Sequence, residues 1–147
     1  MSTIALLIKN QKEKTILEHY FQNINYNVLL LKSNFTAYRE ISHSLPICII
    51  CEIPYNYLDN IYVIRLLENH RNTKGIPVIG YGNHFAPNII ESLYESGVHL
   101  YYQRPLQIKN ILQDIQAIQS GQNIKIKRYR SNITDNEITV QPKNKKP

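Results

Sequence analysis

The sequence is poor in several residue types. Its 147 residues include no tryptophan, one methionine, two cysteines and five glycines. No apolar run approaches the roughly 18 residues that a membrane-spanning helix needs. The first apolar stretch, residues 4–8, is followed at once by Lys9 and is too short to be a secretory signal. These absences predict a cytoplasmic globular protein without a membrane segment, and the length is that of one ordinary domain.

Acidic residues are also few. Eleven Asp and Glu residues stand against 17 Lys and Arg residues, so the net charge is +6. The excess lies near the end of the chain, because residues 125–147 contain seven basic and two acidic residues. We therefore predict a domain over residues 1–121 and a basic, flexible tail or linker over residues 122–147. Such a tail is usually solvated or in weak contact with an acidic surface, and it is too short for a helix-turn-helix domain, so direct DNA binding is not expected.

The two cysteines form a Cys-x-x-Cys motif inside an apolar run. Cys48 and Cys51 lie in residues 47–51, a segment that is typical of a buried strand. Side chains three positions apart on a strand face opposite sides of the sheet, so neither a disulfide nor a shared metal site is expected. The five histidines show no metal-ligand spacing. The sequence therefore predicts no metal and no other cofactor.

Apolar runs alternate with helical periodicity along most of the chain. Strands are predicted at residues 4–8, 26–31, 47–53, 76–81 and 98–102. The first two helices are expected to bury apolar side chains at helical spacing, namely Ile16, Leu17, Tyr20, Phe21 and Ile24, then Phe35, Tyr38, Ile41 and Leu45. Gly75 is predicted to end the third helix, Pro87 to begin the fourth, Gly97 to end it, and Gly121 to end the fifth. A short strand is predicted at residues 125–129.

This alternation predicts the fold class. Strands and helices that follow one another are the signature of βαβ units and a parallel sheet. Nearly continuous apolar strands indicate a sheet that is covered on both faces. With right-handed crossovers, an open, doubly wound α/β sheet of five strands is expected.

Three segments resemble a known family. Residues 97–105, Gly-Val-His-Leu-Tyr-Tyr-Gln-Arg-Pro, resemble the signature around the fifth strand of the receiver domain of bacterial two-component response regulators. The Ile-Pro-Val-Ile of residues 76–79 resembles the start of that family's fourth strand, and residues 46–54 resemble its third strand. The resemblance covers roughly residues 3–119. It implies a flavodoxin-like sheet in the order 2-1-3-4-5 with helices on both faces.

The resemblance also implies where the family's functional positions fall. The acidic pair, the phospho-accepting Asp, the Ser or Thr and the Lys fall, in that order, on Lys9 and Asn10, Glu52, Gly82 and Arg104. Of the switch positions, Tyr101 alone keeps the family's residue type. The phosphorylation site is thus expected to be degenerate.

These changes predict a loss of the usual chemistry. Glu52 is expected to be the sole carboxylate, facing Lys9 and Arg104 with a local charge near +1 that would repel a divalent cation. Gly82 offers no hydroxyl to a phosphoryl group, so no catalytic residue is predicted. Three interpretations of Glu52 remain open: a salt-bridge partner of Lys9 or Arg104, a mimic of a phosphorylated residue, or a residual phospho-acceptor.

The leading functional hypothesis is a non-catalytic module of signal transduction that binds a protein partner or itself. By resemblance, the interaction face is formed by the fourth helix, fifth strand and fifth helix, with Tyr94, Tyr101, Tyr102 and Lys109, and a histidine kinase is a further implied partner. The alternatives are a phosphorylatable module that controls an output such as transcription, and a small-anion site beside Lys9 and Arg104. An enzyme is disfavoured, because residues 9–12 contain no glycine for a phosphate-binding loop.

Overall fold

The structure is a computed structural model that describes residues 1–32, 34–56, 58–125 and 127. The strands are β1 (Thr3–Leu7), β2 (Asn27–Leu30), β3 (Cys48–Ile53), β4 (Val78–Gly82) and β5 (Leu100–Gln103). The helices are α1 (Gln11–Asn23), α2 (Asn34–Ser44), α3 (Leu58–Glu68), α4 (Pro87–Ser96) and α5 (Ile108–Gln119). None of the helices in the described ranges is both long and apolar enough to cross a membrane.

The five strands form one parallel sheet. Their order is β2-β1-β3-β4-β5, and every neighbouring pair runs in the same direction. The predicted fold class and strand order are confirmed. Because all strands run the same way, the loops that follow them lie together at the carboxyl edge of the sheet, where open α/β proteins place their sites.

Helices cover both faces of the sheet. On one face, α1 contributes Leu17 and Phe21 to a core that α5 completes with Ile111 and Ile115. On the other face lies a second core, to which α2, α3 and α4 contribute the buried residues Ala37, Ile41, Ile61, Val63, Ile64, Leu67 and Leu93. The central strands supply side chains to both cores, which explains their continuous apolar sequences.

The two cysteines lie on opposite faces of β3, as predicted. Cys48 is buried in the core beneath α1 and α5, and Cys51 is buried in the other core. Neither is in a disulfide. Burial raises the pKa of each thiol to about 12, so both are held as unreactive thiols.

Four apolar side chains that the helical pattern assigns to the core are exposed instead: Ile16 (42%), Ile24 (38%), Phe35 (100%) and Leu45 (53%). Each helix contacts the sheet through a narrow stripe. In α2 the stripe is Ala37 and Ile41, whose spacing of four places them one above the other, and in α1 it is Leu17 and Phe21. Ile16 and Phe35 lie outside these stripes, and Ile24 and Leu45 follow the last residues of α1 and α2, so they are not on a helix face at all.

Helix boundaries agree with the sequence in part. Pro87 begins α4, and Gly97, with a φ of 123°, follows its last residue. The prediction that Gly75 ends the third helix is wrong, because α3 ends at Glu68. Turns follow it, and they are held in place by the buried Thr73, whose hydroxyl donates a hydrogen bond to the carbonyl of Leu67 at 2.8 Å.

The packed part of the chain continues past residue 121. Ile124 is 6% exposed and packs with α1 and α5, and Lys127 forms an ion pair with the buried Asp114 at 2.9 Å. Lys125 and Lys127 are helical, so the prediction of a strand at 125–129 is wrong for them. The rest of that segment and of the predicted tail, from residue 128, lies outside the described residues.

Candidate functional site

Glu52 lies near the carboxyl end of β3, in the centre of the sheet. Its Oε1 accepts hydrogen bonds from the backbone N–H groups of Lys9 and Asn10, at 2.8 and 2.9 Å. Its Oε2 accepts a hydrogen bond from Arg104 at 2.8 Å. The side-chain amide of Asn60, on α3, donates to the backbone carbonyl of Glu52. Both the position and the orientation of the carboxylate are therefore fixed by the surrounding chain.

Arg104, directly after β5, joins two carboxylates. Its Nε lies 2.8 Å from Oε2 of Glu13, and its Nη2 lies 2.9 Å from Oε1 of the same residue and 2.8 Å from Oε2 of Glu52. The side chains of Glu13 and Glu52 are only 15% and 14% exposed, and that of Arg104 is 28% exposed. The pair with Glu13 is bidentate, which the planar guanidinium allows and a lysine does not.

Glu13 belongs to the site, although the family resemblance assigned it no role. It lies in the first turn of α1, and its backbone N–H donates to the side chain of Asn10, the N-cap, at 2.9 Å. An N-cap followed three residues later by Glu is the sequence pattern of a capping box, in which the Glu returns to the N–H of the cap. Here Glu52 accepts from that N–H, and the Glu13 carboxylate is left to bind Arg104.

Tyr81 completes the group. It is 1% exposed, and its hydroxyl donates a hydrogen bond to Oε1 of Glu13 at 3.0 Å. The guanidinium carbon of Arg104 lies 5.4 Å from the centre of the Tyr81 ring. The hydrogen bond from Arg104 holds the pKa of Glu13 below its ordinary value, although partial burial acts in the opposite direction. We call Glu13, Glu52, Tyr81 and Arg104 the Arg104 cluster.

The predicted charge of the site is wrong. Glu52 is not the sole carboxylate, since Glu13 reaches Arg104 as well. Lys9 contributes its backbone N–H to Glu52, while the residue itself is exposed. The Arg104 cluster has two carboxylates and one guanidinium, a net charge of −1 instead of a value near +1.

The hydroxyl of Tyr101 lies close to Gly82 at the end of β4. A Cβ at Gly82 would lie 2.5 Å from the backbone oxygen of Ile53 and 2.9 Å from the hydroxyl of Tyr101. That hydroxyl donates to the carbonyl of Asn83 at 2.7 Å. Tyr101 thus occupies the space that a side chain at position 82 would need, and the site has neither a hydroxyl nor room for one there.

Receiver domains are among the solved structures that this fold resembles. The signal receiver domain of a signal-transduction histidine kinase from Syntrophus aciditrophicus superposes with a TM-score of 0.72 at 19% identity, over 82% of this chain and 92% of that one. The receiver domain of a sensor histidine kinase from Pseudomonas aeruginosa gives 0.68 at 19% identity, over 78% and 94%. A chemotaxis response regulator of Vibrio cholerae gives 0.70 at 13% identity, over 80% and 98%. The chain has the receiver-domain fold.

At these identities the likeness extends to the fold and no further. No protein-family model matches the chain, and no curated protein matches its sequence. What distinguishes this chain within the receiver-domain fold must therefore be argued from its own side chains.

Magnesium does not fit this receiver fold as it stands. The Pseudomonas aeruginosa domain holds a magnesium ion in its active-site cleft. In this chain, all four carboxylate oxygens of Glu13 and Glu52 already accept hydrogen bonds from Arg104, Tyr81 or the backbone. No group of three or more His, Cys, Asp or Glu side chains among the described residues could hold a metal ion. A cation would have to displace Arg104 to reach these oxygens. The expectation that no metal binds stays a prediction.

Residues that were predicted to form one interaction face pack against different cores of this receiver fold. Tyr101 packs against the core of α2, α3 and α4, whereas Tyr102 packs against the core of α1 and α5. The Tyr102 hydroxyl donates a hydrogen bond to Asp114 and accepts one from Lys127, so it is held inside the domain. Tyr94 is half-buried and Lys109 is exposed. The structure therefore does not bring the predicted tyrosines together on one surface.

The alternative small-anion site finds little support. Arg104, one of its two proposed cations, is committed to two carboxylates. A cavity of about 890 Å³ lies at the opposite, amino-terminal edge of the receiver fold, lined in part by Arg71, Lys74 and His99. That cavity does not include Lys9.

Proposed function

We propose that this chain is an atypical receiver-type module of signal transduction, which acts through protein contacts and is not phosphorylated in the usual way. The observation that carries the proposal is the position of Arg104. Its guanidinium binds both carboxylates of the site at 2.8 to 2.9 Å, so neither is free to hold the metal ion that phosphoryl transfer in a receiver domain needs. A receiver-type module that lacks this chemistry can still act through surfaces that bind other proteins.

Among the three interpretations of Glu52, the contacts favour a salt-bridge partner. A phosphoryl acceptor needs a free carboxylate oxygen and a nearby cation that draws charge off the transferring group. Both Glu52 oxygens are occupied, and the hydroxyl that would contact a phosphoryl oxygen is absent at Gly82. A phosphate mimic is disfavoured as well, because both oxygens of Glu52 are bound to Arg104 and to backbone N–H groups inside the domain and are not presented to a partner.

Treatment with acetyl phosphate and Mg²⁺, followed by intact-mass measurement, tests the proposal. We expect the mass to stay that of the unmodified chain, while a conventional receiver domain treated in parallel gains one phosphoryl group. An adduct on the wild type that Glu52→Gln abolishes would support the phosphorylatable alternative instead. An adduct that persists in Glu52→Gln would show that a residue other than Glu52 carries the phosphoryl group, and that residue would then have to be identified.

We further propose that a protein partner or a second copy of the chain binds through α4, β5 and α5. The support is chemical: α4 exposes Glu91 and Glu95, and α5 exposes Lys109, which are groups of opposite sign. A two-fold axis could pair them, as a self-complementary interface requires.

A further inference from the structure

Two aromatic side chains are almost fully exposed at the carboxyl edge of the sheet. Phe35 is 100% exposed in the first turn of α2, after β2, and Tyr55 is 86% exposed directly after β3. Neither contributes to a core. Exposed aromatic rings of this kind are enriched where proteins bind one another.

Three lysines lie at the same edge. Lys9 and Lys12 follow β1, Lys32 follows β2, and all three are exposed. The strands β2, β1 and β3 are neighbours in the sheet. Adjacent strands are about 4.8 Å apart, so the segments that follow them lie next to one another. We call Lys9, Lys12, Lys32, Phe35 and Tyr55 the carboxyl-edge patch.

Few acidic groups lie in the described segments that form the carboxyl-edge patch. In the described residues of 8–13, 31–35 and 54–56, Glu13 is the one acidic residue, and Arg104 binds it. None of the three lysines forms an ion pair with another described residue. The carboxyl-edge patch therefore combines three positive charges with two exposed rings.

Part of the carboxyl-edge patch is held in place by the Arg104 cluster. The backbone N–H of Lys9 donates to Glu52 at 2.8 Å, and the next residue, Asn10, caps α1. Lys9 and the first turn of α1, which carries Lys12, are thus ordered before any partner arrives. Preorganised surfaces lose less entropy on binding than mobile ones do.

We infer that the carboxyl-edge patch binds an acidic segment of a partner protein. Carboxylates of the segment face the three lysines, and its apolar side chains cover Phe35 and Tyr55. Single-stranded nucleic acid combines the same two kinds of contact, but successive bases stack on rings that follow the strand. Here the loop of β1 lies between the loops that carry the two rings, and that loop presents lysines instead of a ring. The inference rests on the proposed role as an interaction module.

Fluorescence anisotropy with three labelled probes tests the inference on the full chain. The probes are a peptide of alternating Glu and Leu, the same peptide with Gln in place of Glu, and an oligothymidylate. We expect saturable binding of the Glu peptide that weakens with salt, and much weaker binding of the other two probes. Phe35→Ser and Lys32→Glu should each weaken binding of the Glu peptide about tenfold, the effect of losing one important interface side chain.

Matched controls lie elsewhere on the surface. Tyr62 on α3 is 65% exposed, and Lys74, in the turns after α3, is exposed. Tyr62→Ser and Lys74→Glu should change the dissociation constant by no more than about twofold, the ordinary effect of a side chain outside an interface. All four substituted side chains are exposed, and urea midpoints verify that each variant is folded.

Three results would overturn the inference: no saturable binding of the Glu peptide, equal weakening by the controls and the patch variants, or tighter binding of the oligothymidylate. The failure of the proposed function is seen separately. A phosphoryl adduct on Glu52 removes the proposed function, whereas an unmodified mass without peptide binding removes only the carboxyl-edge patch as an acidic-segment site.

Discussion

At the scale of single residues, Arg104 determines the chemistry of the site. A lysine at this position could bind one carboxylate, but a guanidinium reaches Glu13 with two nitrogens and Glu52 with one of the same two. The result is a cluster in which the guanidinium of Arg104 and the two carboxylates are bound to one another. Its stability and its pH dependence can both be measured.

Replacing Arg104 with Met should lower the free energy of unfolding by about 2 kcal/mol, because two largely buried carboxylates lose the cation that they share. Urea unfolding at neutral pH measures the loss. Arg104→Lys should recover part of it. Lys74→Met, which removes an exposed cation, is the control and should stay within about 0.5 kcal/mol of the wild type. Equal losses in Arg104→Met and Lys74→Met would contradict the role given to Arg104.

Glu13 should make the domain less stable in acid. Its pKa is lower in the folded protein than the ordinary value of 4.5, chiefly because of the hydrogen bond from Arg104. The stabilisation is therefore fully present above that ordinary value and is lost as the pH falls through the lowered, folded-state pKa.

Urea midpoints across the acid range test this expectation with Glu13→Gln. The variant should be less stable than the wild type at neutral pH, and the difference should shrink as the pH falls below 4.5. Glu95→Gln, which removes an exposed carboxylate from α4, controls for the change in net charge. A difference that stays constant with pH would show that Glu13 does not act through its ionisation.

At the scale of elements, the strands follow the sequence pattern more closely than the helices do. Alternate side chains of β3 enter opposite cores, as a period of two requires. The helices bury narrower stripes than the pattern suggests, and Phe35 and Leu45 remain outside. The segment after α5 is a further difference, because Ile124 and Lys127 attach it to the domain.

The junction of β3, β4 and β5 leaves no space at Gly82. Gly82→Ala should lower the free energy of unfolding by about 1–3 kcal/mol, since its Cβ would lie 2.5 Å from the backbone oxygen of Ile53. Tyr101→Phe in the same chain should recover little, because the closer contact is with backbone. Gly75→Ala is the matched control: no atom lies within 4 Å of its Cβ, and the change should stay within about 0.5 kcal/mol. A stable Gly82→Ala variant would mean that the three strands can separate at this point without cost.

At the scale of the whole molecule, the question is which surface acts. Arg104 is bound to two carboxylates inside the domain. Two candidate binding surfaces then lie among the described residues: the carboxyl-edge patch and the face of α4, β5 and α5. They differ in position and in charge, so variants can separate them.

Self-association through α4, β5 and α5 should be visible by sedimentation at several concentrations, with and without a phosphodonor. We expect a dimer that Glu95→Arg weakens, because it places a positive charge opposite Lys109. Tyr101→Ala is a second probe, although it also removes packing from a core. Tyr62→Ala on α3 is the control. A monomer at high micromolar concentration, or a dimer that Glu95→Arg and Tyr101→Ala leave intact, would exclude this interface. If Glu52→Gln also leaves association unchanged, the phosphate-mimic interpretation is excluded with it.

The sequence by itself determined the order of the elements, the parallel sheet and the opposite placement of Cys48 and Cys51. Strand and helix periods, together with residues such as Pro87 and Gly97, act over a few positions and can be recognised from local sequence. The family resemblance then placed Glu52 and Arg104 at one edge of the sheet. The contact of Arg104 with Glu52, across 52 positions, was among the interpretations left open and is present.

Only the tertiary structure decided what else lies there. Glu13 is 91 positions from Arg104 and 68 from Tyr81, and no local pattern joins them. Their contacts depend on the order of the strands and on where each loop ends, and those in turn depend on the packing of both cores. The capping pattern of Asn10 and Glu13 was visible in the sequence, but it predicts a contact within α1. Because Glu52 accepts from the N–H of Asn10, the Glu13 carboxylate binds Arg104 instead, and this exchange brings a second carboxylate into the site.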